Sequence, residues 1–264
     1  MTRIVQITDT HLFGDREKDL MGVKTRNSFE AVVDLIRSNP KQPDLILLTG
    51  DLTQDHSPES YAHLIDVMKV FSAPIYFIPG NHDDIPVMNR VFASSGFQKE
   101  KNILFDGWQC ILLNSQKTHH PEGFLEQTEL DFLEACLAAH PERRALVVTH
   151  HHSVSVGCTW LDKINLTNAD AFWGLLSRYA NVKMVLSGHV HQEYAGDYNG
   201  VPCYSTPSTC VQFKRHSTDF SLEELAPGYR WIELHSDGRI ETAVQRAEKY
   251  IGVFNSQVGG RYAD

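Results

Sequence analysis

Five short polar segments carry the side chains best suited to chemistry. They are Asp9-Thr10-His11, Gly50-Asp51, Gly80-Asn81-His82-Asp83, Thr149-His150-His151-His152 and Gly188-His189-Val190-His191. Each alone reads as an ordinary turn: Gly-Asp and Gly-Asn pairs are common where a chain reverses. Together they offer imidazole, carboxylate and carboxamide oxygen, a donor set that suits Mn, Fe or Zn ions. No cysteine joins them, which argues against a closed structural zinc site. A carboxylate such as Asp51, with one ion on each oxygen, can hold two cations about 3.5–4 Å apart.

Such a constellation needs a frame that brings five distant segments to one place. Each segment follows a short apolar run: RIVQI (3–7), DLILL (44–48), PIYFI (74–78), ALVVT (145–149) and VKMVLS (182–187). These runs, with QCILL (109–113), have the length and boundaries of buried strands. Amphipathic stretches between them predict helices over 26–38, 58–71, 85–94, 128–139 and 169–179. Ser57 before Pro58, and Asn168, are expected as N-caps. Strand–helix alternation implies a layered α/β fold, and ligands in such sheets bind at the carboxyl ends of strands. All five segments sit at such ends. Two-residue alternation along extended chain lets Asp9 and His11 face one way. On the same rule His151 should point away from His150, and His152 back toward it. Two hairpins near the C-terminus, one turning at Asp237-Gly238, suggest a second, more antiparallel sheet completing a sandwich.

The bulk numbers narrow the function classes. At 264 residues, with 42% hydrophobic and 22% charged content, the chain suits one large domain, expected over 1–251, with 252–264 as a loose tail. Net charge is 24 − 33 = −9, which argues against a nucleic-acid binder and disfavours a nuclease. An acidic protein acting on an anionic substrate needs local positive charge, which metal ions can supply. Five scattered cysteines with no C-x-x-C pair read as reduced thiols. No leader precedes the first strand and no run approaches membrane-spanning length, so a cytoplasmic protein with no membrane partner is expected.

The ordered set Asp9-x-His11, Gly50-Asp51, Gly80-Asn81-His82-Asp83, His150 and Gly188-His189-x-His191 resembles the signature of the calcineurin-like metallophosphoesterases. More narrowly, ITDTHLF, CTWLD and TPSTCVQF resemble the bacterial class III 3′,5′-cyclic AMP phosphodiesterases of the CpdA type. The resemblance implies a four-layer α/β/β/α sandwich with two mixed β-sheets and a pair of di- or trivalent ions, Fe or Mn first among them. It implies one ion on Asp9, His11, Asp51 and His191, and the other on Asp51, Asn81, His150 and His189. One histidine of the three in a row, His150, is then a ligand. His82 becomes the catalytic residue, protonating the leaving 3′-oxygen, and His11, Asp51, Asn81, His82 and His191 meet the substrate. The implied reaction is hydrolysis of 3′,5′-cyclic AMP to 5′-AMP by in-line attack of a metal-bridging hydroxide. The ligand set alone equally accommodates a broad-specificity phosphodiesterase or phosphomonoesterase, including one acting on 2′,3′-cyclic nucleotides. A non-catalytic scaffold on the same fold would typically have lost ligands or the GNH histidine, and all are present. Cys158, Trp160 and Asp162 are candidates for a nucleotide pocket, Trp160 as a stacking face or equally as a core anchor. The oligomeric state is open, a dimer included.

Overall fold

The computed structural model describes residues 1–248; the expected tail (252–264) and the domain limit at 251 lie outside the described residues. The elements run β1 (Thr2–Ile7), α1 (Thr25–Ser38), β2 (Leu45–Thr49), α2 (Pro58–Met68), β3 (Ile75–Ile78), α3 (Ile85–Phe92), β4 (Asn102–Phe105) and β5 (Trp108–Leu112). There follow α4 (Gln127–Ala139), β6 (Arg144–Val148), a 3-10 turn (Leu161–Lys163), α5 (Ala169–Leu176), β7 (Val182–Ser187), β8 (Tyr194–Tyr198) and β9 (Val201–Ser205). The chain closes with β10 (Gln212–Phe213), β11 (Leu222–Glu223), β12 (Gly228–Leu234) and β13 (Ile240–Arg246). Every expected strand and helix is present, with ends shifted by a few residues.

Two sheets carry the fold, in strand orders β13-β12-β1-β2-β3 and β4-β5-β6-β7-β9-β8. Their centres are parallel, with Ile4 beside Leu45 and Leu146 beside Met184. The central strands read as continuous apolar runs because both faces are covered. In β1 and β2, Ile4, Leu45 and Leu47 face the other sheet, meeting Leu146, Val148, Met184 and Leu186. Val5, Ile7, Ile46 and Leu48 face outward, under Phe29 of α1 and Tyr61 and Leu64 of α2. On the second sheet Ala145 and Val147 are covered by Leu133 of α4 and Phe172 of α5. This is the expected four-layer α/β/β/α sandwich with two mixed sheets.

The hairpins differ from expectation. They do not form a separate antiparallel sheet. β12 pairs antiparallel with β1, Ile4 beside Ile232, and carries β13, while β9 joins β7 in parallel and carries β8. Each hairpin extends one sheet, because the apolar edges of β1 and β7 would otherwise leave ladder groups unpaired.

Ser57 caps α2 as expected, its Oγ accepting from Ser60 N at 3.1 Å, with proline next. Asn168 stands at the N-cap position of α5, but its side chain makes no capping bond. Its side chain instead pairs twice with the Leu125 backbone, Oδ1 accepting at 3.0 Å and Nδ2 donating at 2.8 Å. All five cysteines are free and buried, so no disulfide supports the fold. Among the described residues no helix is long and apolar enough to cross a membrane.

Candidate metal centre

The carboxyl ends of β1, β2, β3, β6 and β7 converge at one edge of the sandwich. Asp9, His11, Asp51, His150, His189 and His191 are buried there, with Asn81 and His82 half-buried beside them. Buried polar side chains are costly unless partnered, so the partners show what the cluster is built for.

Four histidines share one pattern. His150 Nδ1 lies 2.8 Å from Thr49 O, His191 Nδ1 2.9 Å from Val211 O and His11 Nδ1 2.7 Å from Gln54 Oε1. His189 reverses its ring, with Nε2 3.0 Å from Ile164 O. A ring nitrogen facing a carbonyl must carry the proton, which leaves the other nitrogen with its lone pair. Those other nitrogens turn inward. His150 Nε2 is 3.4 Å and His11 Nε2 3.7 Å from Asp51 Oδ2, and His191 Nε2 is 3.3 Å from Asp9 Oδ1. Asp9 Oδ1, Asn81 Oδ1, His150 Nε2 and His189 Nδ1 are buried atoms with no hydrogen-bond partner. Buried lone pairs turned toward one another are the arrangement a cation resolves, so the donors fit metal ions. The sets Asp9–Asp51–His150, His11–Asp51–His82 and His150–His151–His189 each place one donor atom per residue within 4.8 Å of the others.

The carboxylates are held as anions. Burial works against ionised Asp51, yet the neighbouring His150 and His82 keep its pKa well below the usual value. Asp9 is likewise lowered: burial is outweighed by His191. Burial drives His11 down to about 3, and burial with the adjacent imidazoles drives His189 well below normal. Both are therefore neutral, as ligands must be. Burial opposes charge on His150 too, but the anionic Asp51 and Asp9 raise it to about 9; a cation held by the same carboxylates would take the place of that proton and free Nε2 as a ligand.

The route by which these side chains converge is not the expected one. Asp9, His11, Asp51, His189 and His191 have φ of 55°, 43°, 52°, 68° and 48°. They are left-handed, not extended, so β alternation does not apply. Five such residues in one site is backbone strain concentrated where function is expected. Nor does His151 point away from His150. The chain bends at 150–151, and the His151 ring lies 4.9 Å from that of His150 and 4.6 Å from that of His189. His152 stacks on the other side of His189 at 5.7 Å. All three consecutive histidines therefore gather around His189, and none is solvent-facing. Asp51 Oδ1 accepts from His82 N at 2.8 Å, and Oδ2 faces both His11 and His150.

Several supporting residues escaped the sequence reading. Gln54 aims His11; it stands three residues after Asp51, where a polar side chain in a strand-end loop is the only available signal. Asp83 joins two of the loops, accepting from Leu52 N, Gly80 N and Tyr61 Oη at 3.1, 2.9 and 3.1 Å. Burial, with Asp51 second, raises its pKa to about 7. Thr8 Oγ1 donates to Asp9 Oδ2 at 2.7 Å, and Ser208 Oγ to Asp9 O at 2.7 Å. The TPSTCVQF segment is thus a buried cradle for Asp9, and Phe213 lies flat on His191 at 4.1 Å. Cys210 Sγ comes within the same 4.8 Å of His11 and His191. Burial pushes its thiol to about 12, which keeps it neutral. Trp160 packs edge-on against Phe213 and Phe220 at 4.9 and 5.3 Å, and the Cys158 thiol turns to Ser217 O at 3.4 Å. Those two anchor the loop, with Trp160 half-buried. Asp162 fastens the same loop, accepting from Val156 N at 2.9 Å.

Gly50 shows how tightly the loops meet. Its φ is +95°, and a Cβ there would run into His150 Nδ1 and the Gly80 backbone. Gly50→Ala is expected to lower the unfolding free energy by about 1–3 kcal/mol from backbone strain alone. Urea titration of the purified variant checks this.

Sequence and structure comparisons agree with the geometry. The family model for calcineurin-like phosphoesterases matches residues 2–193. The 3′,5′-cyclic adenosine monophosphate phosphodiesterase CpdA of Escherichia coli K12 is 44% identical over 245 residues, covering 92% of this chain and 89% of the relative. The protein of the same name from Haemophilus influenzae is 44% identical over 248 residues, covering 94% and 90%. A dimetal phosphatase from Danio rerio superposes with a TM-score of 0.64 at 15% identity, covering 93% of this chain and 99% of that one. With the strand-end residues gathered as the signature requires, the chain belongs to the calcineurin-like phosphoesterase family.

Proposed function

We propose that the protein is a dinuclear-metal phosphodiesterase that hydrolyses 3′,5′-cyclic AMP to 5′-AMP. The observation that carries this is the inward-facing cluster of unpartnered donors, Asp9 Oδ1, Asn81 Oδ1, His150 Nε2 and His189 Nδ1. It stands in a chain 44% identical over nearly its whole length to relatives bearing that activity in their names.

In this reading Asp9, His11, Asp51 and His191 hold one ion, and Asp51, Asn81, His150 and His189 the other. Asp51 would serve both ions, its Oδ2 facing His11 and His150 while Oδ1 accepts from the His82 amide. Mn²⁺ and Fe are the ions the mixed donor set suits. Bound there, the ions would neutralise charge on the phosphoryl oxygens and acidify water enough to serve as a nucleophile near neutral pH.

The chain's own groups do the rest. His11, Asp51, Asn81 and His191 form the floor against which the phosphate rests. His82 stands at the solvent side of that floor, its ring 5.0 Å from that of His11. It carries the proton given to the 3′-oxygen as the P–O3′ bond breaks. Burial lowers its pKa, with Asp51 partly offsetting, so its acid form is a stronger donor than free imidazolium. Residues 1–251 are taken as one catalytic domain acting in the cytoplasm on a small nucleotide, with no nucleic-acid or membrane partner.

The test is a panel. Protein supplied with Mn²⁺ is offered 3′,5′-cyclic AMP, 2′,3′-cyclic AMP, cyclic GMP and bis(p-nitrophenyl) phosphate side by side. Turnover of 3′,5′-cyclic AMP is expected. Turnover of the aryl ester with none of the cyclic nucleotides would remove the substrate assignment.

A further inference from the structure

A cleft of about 590 Å³ opens beside the cluster, with Asn81 and His82 in its lining. Its volume lies within the usual range for small-molecule sites, about 300–1,000 Å³. The rest of its wall comes chiefly from two loops, 54–56 after β2 and 116–121 after β5. Lying beside the cluster and lined by His82, this cleft has room for the remainder of a nucleotide whose 3′-oxygen meets His82.

The lining has an unusual makeup. It contains no Phe, Tyr or Trp, and its rings are the imidazoles of His56, His82, His119 and His120. Its carboxylates are already used by the backbone. Asp55 accepts from Gly14 N at 2.8 Å, Asp83 from Gly80 N at 2.9 Å and Asp84 from Val87 N at 2.9 Å. The 116–121 loop is tied down at its base. Gln116 Nε2 donates to Gly80 O at 2.7 Å and to Asp83 O at 2.6 Å, and His120 N closes a turn onto Lys117 O at 3.0 Å. His56 and His119 are exposed at the tips, in left-handed backbone with φ of 58° and 62°.

We propose that this cleft is the nucleobase subsite, with a purine packed against the imidazoles of His56 and His119 and its edge met by Gln116 and Thr118. The inference rests on the phosphodiesterase reading above. Histidine is one of the flat side chains on which unstacked bases settle, and a heteroaromatic ligand needs flat, weakly charged partners of this kind. His56 and His119 act as specificity-determining residues: they hold the base, and the chemistry stays with His82 and the metal cluster.

The experiment compares steady-state kinetics on cyclic AMP and on bis(p-nitrophenyl) phosphate, which has no base. In the double variant His56→Ala/His119→Ala, KM for cyclic AMP is expected to rise about tenfold or more, the loss associated with removing base stacking. The kcat/KM ratio of cyclic AMP to the aryl ester falls in step. His119→Phe, which retains a flat ring, is expected to remain within about twofold of wild type, where His119→Ala does not. A double variant with unchanged KM and unchanged ratio overturns the subsite, and so does a Phe variant as impaired as Ala. Wild-type protein that cleaves the aryl ester but no cyclic nucleotide overturns the phosphodiesterase assignment and the subsite with it, a result read before any variant is made.

Discussion

Asp51→Ala is expected to abolish both metal retention and hydrolysis. Asp51 Oδ2 is the carboxylate oxygen that faces donors from both halves of the site, His11 at 3.7 Å and His150 at 3.4 Å. Its removal takes one ligand from each ion at once. Neutralisation of phosphoryl charge by bound cations contributes several kcal/mol, so turnover should fall by at least about 10³-fold. Metal content per chain, measured on desalted protein, should fall together with activity. Asp51→Asn keeps an Oδ1 acceptor for the His82 amide, now 2.8 Å away. It should fold as wild type while losing the bridge, which separates ligand loss from misfolding. Asp51 variants that retained two ions per chain would contradict the bridging assignment.

His82→Ala is expected to behave differently: full metal content with turnover of cyclic AMP reduced about 10²- to 10⁴-fold, the usual worth of a positioned general acid. The result is not trivial, because His82 has a ring nitrogen within 4.8 Å of donors on His11 and Asp51 and is geometrically capable of ligation. Metal analysis decides between the two roles. The leaving group supplies a second discriminator. A ribose oxygen departs poorly without a proton, whereas p-nitrophenolate departs unaided. The defect should therefore be much smaller on bis(p-nitrophenyl) phosphate. Equal defects on both substrates, or an emptied site, would make His82 a ligand or a scaffold.

Much of this was legible in the chain. The short apolar runs announced strands because parallel strands covered on both faces must be apolar throughout. The strand-end segments announced a site because Asp, Asn and His recurred where α/β sheets place ligands. What the residues could not reveal was local backbone. Asp9 and His11 were expected to share a face by extended alternation, and they share it through two left-handed residues instead. The same bend turns His151 into the cluster. Period-2 reasoning fails once the strand has ended. Pairing partners of the late hairpins were also illegible: β12 lies more than two hundred residues from β1, and nothing local in either selects the other. Asn168 looked like a helix cap, but the Leu125 backbone took its side chain. Trp160 could be read as a stacking face or an anchor, and its anchoring role shows only in the positions of Phe213 and Phe220.

If bound metal lets this chain open 3′,5′-cyclic AMP at the P–O3′ bond, removing the metal must stop the reaction and restoring it must bring the reaction back. The direct measurement strips the protein with a chelator, reloads it with Mn²⁺, and follows cyclic AMP by phosphorus NMR in water enriched in oxygen-18. No conversion is expected from the stripped protein, and after reloading a single product, 5′-AMP, with one solvent oxygen on phosphorus. Formation of 3′-AMP, undiminished conversion by the stripped protein, or no conversion after reloading would contradict this assignment.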